Sequence, residues 1–415
     1  MTPEIKTRIE AVRRGEVPEG YGESIAGILP NDWISKPLSE ITDILSEQAG
    51  DRDYETLSIS AGIGFVNQAE KFGKELSGKQ YAKYTVLHKG DFAYNKGNSK
   101  RYPQGCTYML RERDEAAVPN VFECFRITKG HPEYYEQLFI NGFMNKQLTR
   151  KINHGVRDDG LLNLTDDDFY STVLPVPPLA EQQKIAEILS TCDRVIELKQ
   201  QLLDEKRKQK QWLMQVLLDP NSGVRLPGFE GSQWYTVTLG EYCDCLDTLR
   251  KPVNAQQREK MQGNYPYWGA NSIQGYVNSY LFDEEIVLLA EDGGCFDDFK
   301  TKPIAVYVNE KCWVNNHAHI LRAKNGNTKL LYFLLAHKDI RNYINGTTRS
   351  KLTQSDMLAI PITLPKDHME QHRLMEILTC TEIEMDMLEQ ELESWQQKKK
   401  ALMQLLLTGL VRVNA

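Results

Sequence analysis

The sequence predicts an α+β protein of two globular domains in tandem, separated and joined by two long helices that form an antiparallel coiled coil with pseudo-two-fold symmetry. Three observations carry this. A chain of 415 residues is too long for one core and suits two or three domains. Two helical segments align without a gap at a constant offset of 189: Glu181-Gln182 falls on Glu370-Gln371, Glu187-Ile188-Leu189 on Glu376-Ile377-Leu378, and Leu213-Met214-Gln215 on Leu402-Met403-Gln404. Each segment follows a proline stop, Pro175-Val176-Pro177-Pro178 or Pro361-Ile362-Thr363-Leu364-Pro365, because proline neither continues a strand ladder nor enters a helix interior.

The elements follow in order. Residues 1–30 form an N-terminal segment without the apolar stretch of a secretory signal. A first domain spans 31–174, a first spacer helix ended by Asp219-Pro220-Asn221-Ser222-Gly223 spans 175–220, a linker through Pro227-Gly228 covers 221–233, a second domain spans 234–360, and a second spacer helix 361–415. Trp33 and Trp234 open the domains, each leading five residues on to Leu38 and Leu239. Apolar runs such as Glu285–Ala290 and Ile304–Val308 read as strands, and Leu330–His337 as a helix. No apolar run approaches the roughly 20 residues that span a bilayer, and the eight cysteines lack a C-x-x-C pair. A cytoplasmic protein with reduced thiols and no membrane partner is expected.

Each helical segment steps by four and three along a mostly apolar seam, Ile185, Leu189, Cys192, Ile196, Lys199, Leu203, Lys206, Lys210, Leu213 and Leu217 in the first. About 38 residues would run roughly 57 Å, too long for an ordinary packed helix. Charge selects the direction of pairing. If residue i faces residue 591 minus i, Lys206, Arg207, Lys208 and Lys210 come opposite the stretch holding Glu382, Glu384 and Asp386, and Lys398, Lys399 and Lys400 come opposite Asp193. The seam lysines 199, 206 and 210 are expected to snorkel past the apolar face.

Two similar domains held apart by helices suit a spaced, bipartite ligand, and double-stranded DNA is the obvious candidate. The loops carry suitable chemistry. Tyr94-Asn95-Lys96-Gly97-Asn98-Ser99-Lys100-Arg101-Tyr102 combines phosphate-seeking cations with amides able to read adenine and flanking aromatics. Asn153-His154-Gly155-Val156-Arg157 resembles Asn345-Gly346-Thr347-Thr348-Arg349-Ser350-Lys351, each shortly before the proline stop. Tyr265-Pro266-Tyr267-Trp268-Gly269-Ala270-Asn271 and Trp313-Val314-Asn315-Asn316-His317 add similar groups. The candidate DNA-binding residues are Tyr94, Asn95, Lys96, Asn98, Lys100, Arg101, His154 and Arg157 in the first domain, and Tyr267, Trp268, Asn271, Asn315, Asn316, His317, Thr348, Arg349 and Lys351 in the second.

Catalysis and cofactors find no support. Gly73–Gln80 nearly matches a phosphate-binding loop, but Gln80 replaces the hydroxyl that would hold magnesium. Cys243-x-Cys245 and Cys312 to His317-x-His319 fit no standard zinc spacing. No Asn- or Asp-Pro-Pro-aromatic run is present to grip a flipped adenine. The formal charge of −7 divides as −3 over 31–174, zero over 175–360 and −3 over 361–415, with −1 before them. Neither domain is basic, so weak binding of DNA by the chain alone is expected.

The chain resembles the specificity subunit of type I restriction-modification systems. The resemblance covers nearly the whole chain. It rests on the order of elements, on Pro177-Pro-Leu-Ala-Glu-Gln-Gln-Lys-Ile185, on Arg225-Leu-Pro-Gly-Phe-Glu-Gly231, on Lys89-Gly-Asp-Phe-Ala-Tyr-Asn-Lys96, and on Tyr265-Pro-Tyr-Trp-Gly-Ala-Asn271. Pro365-Lys-Asp-His-Met-Glu-Gln371 departs from the pattern at the second helix. The resemblance implies a non-catalytic DNA reader whose domains are target recognition domains, each for one half of a split asymmetric site. The helices would be spacer and docking surface for two methyltransferase subunits, which would bind S-adenosylmethionine and flip out adenine; restriction/translocase subunits would join for cleavage. No cofactor is implied in this chain. The alternative is a coiled-coil scaffold or adaptor whose two domains bind protein partners.

Overall fold

The structure is a computed structural model and describes residues 2–73, 78–97, 102–152, 161–324, 326–346 and 350–413. The chain forms two compact units, Met1–Leu198 with Leu392–Ala415, and Lys199–Glu391. The division falls inside both long helices, Leu179–Leu217 and His368–Leu406.

The first unit is built on a four-stranded antiparallel sheet in the order Thr42–Ile44, Glu123–Ile127, Phe92–Asn95, Cys106–Met109. Phe92 and Phe125 are direct cross-strand partners, and their rings stack at 5.4 Å. Phe139, on the helix Pro132–Ile140, meets both edge-on at 5.5 and 5.9 Å. Such aromatic pairs add about 0.5–1.5 kcal/mol each beyond the area they bury. A two-stranded ladder closes the unit, Ile34–Pro37 against Val173–Val176, and leads directly into the first long helix.

The second unit repeats this plan. Its sheet runs Cys243–Cys245, Ala318–Ala323, Ile286–Ala290, Ala305–Val308, again antiparallel. Ile286-Val287-Leu288-Leu289-Ala290 is buried at all five positions. A strand flanked on both sides has no face left for polar alternation, which is why it reads as a continuous apolar run. The helix Thr328–Ala336 follows the strand Ala318–Ala323, as Pro132–Ile140 follows Glu123–Ile127. Trp234–Thr238 pairs with Pro361–Pro365 before the second long helix. The repeat detected in the helices therefore extends to strand order and to the closing ladder.

Both long helices have 39 residues, and both their first and last residues lie 189 apart in sequence. Within the first unit, Ile185 and Leu189 share a core cluster with Met403, Leu406 and Leu407, while Lys399 Nζ lies 2.5 Å from Asp193. Within the second, Met214 packs with Leu378, and Leu217 with Leu374. Lys199 pairs with Glu391 at 2.5 Å, Lys206 with Glu384 at 2.7 Å and Lys210 with Glu382 at 2.7 Å. The helices thus run antiparallel within each unit, each of these ion pairs within one position of the expected register. The seam lysines lie half-buried with their ammonium groups on carboxylates of the other helix. Lys208 does not cross over: it pairs with Glu205 one turn back on its own helix.

The repeated Glu-Gln at the helix starts is buried in both copies. Gln182 donates from Nε2 to the Pro177 carbonyl (2.8 Å) and accepts the His131 N–H (2.8 Å); Gln371 donates to the Pro365 carbonyl (2.7 Å) and accepts from Asn327 Nδ2 (2.9 Å). One amide thus ties each helix to its closing strand and to its own domain. Glu181 accepts from Trp33 Nε1 at 2.9 Å and is held by Arg412; Glu370 accepts from the Ser232 hydroxyl. The departure at the second helix is resolved by Asp367, whose carboxylate accepts the Met369 N–H at 2.7 Å. An N-terminal carboxylate satisfies an orphan backbone donor where the first copy has prolines.

Candidate nucleic-acid interface

In the first unit the strand Phe92–Asn95 delivers the chain to the candidate loop. Asn95 Oδ1 accepts the Gly97 N–H at 2.8 Å, forming a local turn. Gly97 bridges to Leu161, and the Leu162 N–H donates to the Lys96 carbonyl at 2.9 Å, so this loop is joined to the segment that follows Asn153–Arg157. Lys96 Nζ lies 2.7 Å from Glu123 and 2.7 Å from Asp166, the latter on the helix Asp166–Tyr170. Burial works against the ammonium charge of Lys96, but the Asp166 and Glu123 hydrogen bonds outweigh it and hold its pKa above the ordinary lysine value. Burial raises the Glu123 carboxyl pKa, whereas the Lys96 hydrogen bond lowers that of Asp166.

These contacts correct two expectations. Tyr94 is buried, its ring stacks on Phe169 at 4.3 Å, and its hydroxyl donates to the Gln104 carbonyl at 2.8 Å. It is a core residue with no face left for a base. Lys96 is committed to two carboxylates and is not a free phosphate contact. Asn98, Lys100, Arg101, His154 and Arg157 lie outside the described residues.

In the second unit the candidate loops converge. Asn271 Nδ2 donates to the Gly293 carbonyl at 2.9 Å, and His317 Nδ1 lies 2.9 Å from Asp292. Lys351 Nζ approaches Glu291 at 3.5 Å, while its backbone exchanges hydrogen bonds with Asn345. Asn316 and Lys351 are exposed and His317 is half-buried. Asn271, residues 291–293, Asn316 with His317, and Asn345 with Lys351 are therefore brought together by these contacts. Thr348 and Arg349 lie outside the described residues.

Two residues proposed from this loop chemistry are instead internal. Tyr267 is buried, and its hydroxyl both accepts from the Val253 N–H at 3.0 Å and donates to the Val253 carbonyl at 3.2 Å. Asn315 is buried and caps the turn to His317, accepting its N–H at 2.8 Å. Trp268 packs half-buried against a cluster with Phe282 and Val314. Nearby, the Trp268 carbonyl accepts the Asn315 N–H at 3.0 Å.

A buried polar network that sequence reasoning missed adjoins the candidate loops. His319, 1% exposed, faces the Asp247 carboxylate from Nδ1 at 2.6 Å and the Leu352 carbonyl from Nε2 at 2.9 Å. Arg250 donates to Glu291 at 2.7 Å and to the Ala318 carbonyl at 2.9 Å, and approaches Asp247 at 3.3 Å. Burial pushes the Asp247 carboxyl up, but hydrogen bonds from His319 and the Ile320 N–H, with the nearby charges, hold it below its usual range. Asp247, Glu291 and His319 could geometrically enclose a metal ion. The donor set does not fit one, because the guanidinium of Arg250 already occupies both carboxylates and both nitrogens of His319 are committed. The segment that supplies the Leu352 carbonyl has a counterpart in the first unit, Leu164-Thr165-x-x-Asp168 against Leu352-Thr353-x-x-Asp356. In each, the threonine hydroxyl accepts the aspartate N–H, at 3.1 and 3.2 Å, and caps a short helix.

The profile of the Type I restriction modification DNA specificity domain matches residues 30–205 and again 231–394. The chain belongs to this family, as a type I specificity subunit with two target recognition domains. It is 37% identical over 137 residues to a putative type I restriction enzyme specificity subunit of Haemophilus influenzae, a match covering 33% of this chain and 34% of that protein. It is 23% identical over 432 residues to a putative type I restriction enzyme specificity subunit of Methanocaldococcus jannaschii, covering 95% of this chain and 97% of the relative. Among solved structures, the type I restriction-modification S subunit from M. genitalium superposes with a TM-score of 0.60 at 16% identity, over 90% of this chain and 96% of that one. A chain from a type I restriction-modification assembly gives 0.53 at 17% identity, over 92% and 99%. These two likenesses establish the shared fold.

Proposed function

We propose that each unit reads one half of a bipartite, asymmetric DNA site. The long helices set the spacing between the halves and dock two methyltransferase subunits, which carry S-adenosylmethionine. Restriction/translocase subunits join that complex for cleavage, and this chain contributes recognition and no bond-making step. The observation that carries the reading is the convergence, in the second unit, of four separated segments offering Asn271, Asn316, His317 and Lys351. Amides and an imidazole can address base edges, and a lysine can address phosphate. In the first unit the equivalent loop is joined to the segment that follows Asn153–Arg157. The units share strand order but not loop sequence, which supports half-sites that differ.

Methylome sequencing of cells with and without this chain tests the proposal. A split adenine-methylated motif that depends on the chain is expected, and exchanging residues 31–174 for another such domain should alter one half only. Absence of any chain-dependent motif would sink the reading and favour a scaffold indifferent to DNA sequence.

A further inference from the structure

We propose that each unit carries an ion-pair clamp of opposite polarity, Lys96 in the first and Glu291 in the second, which positions the recognition loops of that unit alone. The inference rests on the DNA-reading role above.

Topology makes the two positions equivalent. In each sheet the third strand in spatial order, Phe92–Asn95 or Ile286–Ala290, runs into a loop whose first residue beyond the strand is the clamp. The backbone environment matches as well. The Lys96 carbonyl accepts the Leu162 N–H at 2.9 Å, and the Glu291 carbonyl accepts the Leu352 N–H at 2.8 Å. The next residues form isolated bridges to Leu161 and to Lys351, respectively.

The side chains complete the match with the signs reversed. Lys96 is a cation between two anions, Glu123 and Asp166, at 2.7 Å each. Glu291 is an anion between two cations, Arg250 at 2.7 Å and Lys351 at 3.5 Å. In both triads the central group and one partner are largely covered, and the second partner faces solvent: 13, 15 and 65% exposed for Lys96, Glu123 and Asp166, and 20, 16 and 56% for Glu291, Arg250 and Lys351. Asp166 begins the helix before the first closing strand, and Lys351 lies just before the helix Gln354–Leu358 that precedes the second. Each triad therefore joins the loop after one sheet strand to the segment that returns to the long helix. Covered charges with fixed partners hold geometry because leaving one unpaired is costly. Opposite polarity also prevents either loop from seating in the other unit, where like charges would meet.

The clamps are positioning residues, and their test reads each half of the motif separately. Lys96→Met and Glu291→Gln are introduced into the full chain in its source cells, and adenine methylation is mapped across the genome. Lys96→Met should raise methylation at sites altered in one half roughly tenfold relative to sites altered in the other, and Glu291→Gln should do the converse. Lys96→Arg should retain the parental motif. Thermal unfolding of the purified variants controls for loss of fold. If Lys96→Met fails to fold, Asp166→Asn, which alters only the exposed partner, decides the first clamp. Parental discrimination in both halves, or loss in both together, overturns the clamps. Absence of a chain-dependent motif in the parent would fail the DNA-reading role instead.

Discussion

Replacing Glu382 by Gln should destabilise the second unit by about 2 kcal/mol, well beyond the effect of an exposed interhelical pair. Glu382 receives two lysines, Lys210 at 2.7 Å from the first helix and Lys329 at 3.3 Å from the helix Thr328–Ala336. All three side chains are only 17–20% exposed. Both ammonium groups also lie about one ring's reach from Phe333, at 6.0 and 5.9 Å from its centroid. Glutamine keeps the volume but leaves two partly covered cations without their counter-ion. Breaking a fully buried pair costs about 3–5 kcal/mol and an exposed one about 0.2–1 kcal/mol, so one-fifth exposure places the loss between them. At about 2–4 °C per kcal/mol for a domain of this size, the transition of the unit should fall about 4–8 °C. The comparison is Glu384→Gln, whose carboxylate is 55% exposed; it should shift the transition by no more than about 4 °C. Thermal unfolding of the full chain, with Lys210→Met and the double variant, isolates the coupling. Equal shifts for Glu382→Gln and Glu384→Gln, or zero coupling, would refute the argument.

Arg412→Ala should destabilise the first unit by about 2 kcal/mol, because it removes the guanidinium from the Glu181 carboxylate, 4% exposed, and leaves it the Trp33 N–H among the described residues; denaturant midpoints check this, and adding Glu181→Gln should recover part of the loss. The depressed pKa of Asp247 makes its contribution to stability fully present above the unfolded carboxyl pKa of about 4, and lost as pH falls through the folded value. Asp247→Asn should therefore flatten the acid limb of the unfolding curve below about pH 4, and an unchanged limb counts against the network. Thr165→Ala and Thr353→Ala should each cost about 1 kcal/mol, measured by chemical unfolding, since both hydroxyls cap short helices.

The helices were legible because their signal is periodic and doubled: Ile185, Leu189, Leu203 and Leu217 of the seam bury as expected, and charge complementarity selects one register out of many. The central strand Ile286–Ala290 was legible as an unbroken apolar run. Tyr94 was misjudged for a reason also present in the sequence. It stands two residues from Phe92, so strand alternation directs both to the same covered face. Tyr267 is likewise a strand residue, near the end of Gln262–Trp268, though its composition resembles a loop. The network of Asp247, Arg250, Glu291 and His319 could not be read, because nothing in the sequence announces that three separate segments bring them within hydrogen-bonding reach. Ion pairing across long separations leaves no periodic trace.

That pairing bears on how this chain meets a polyanion. Non-specific affinity for DNA comes from cations free to displace counterions at phosphates. In the first unit Lys96 lies between two carboxylates; in the second, Arg250 is spent on Asp247 and Glu291, and Lys351 shares Glu291. Among the described residues of these loops, these charged side chains thus support loop geometry before they offer attraction. Under the proposed function, such surfaces would discriminate by shape and by amide and imidazole groups, with bulk attraction left to the partner subunits. The formal charge of −7 is then compatible with DNA reading, since a recognition surface that gripped any duplex strongly would lose the contrast between its site and the rest of the genome.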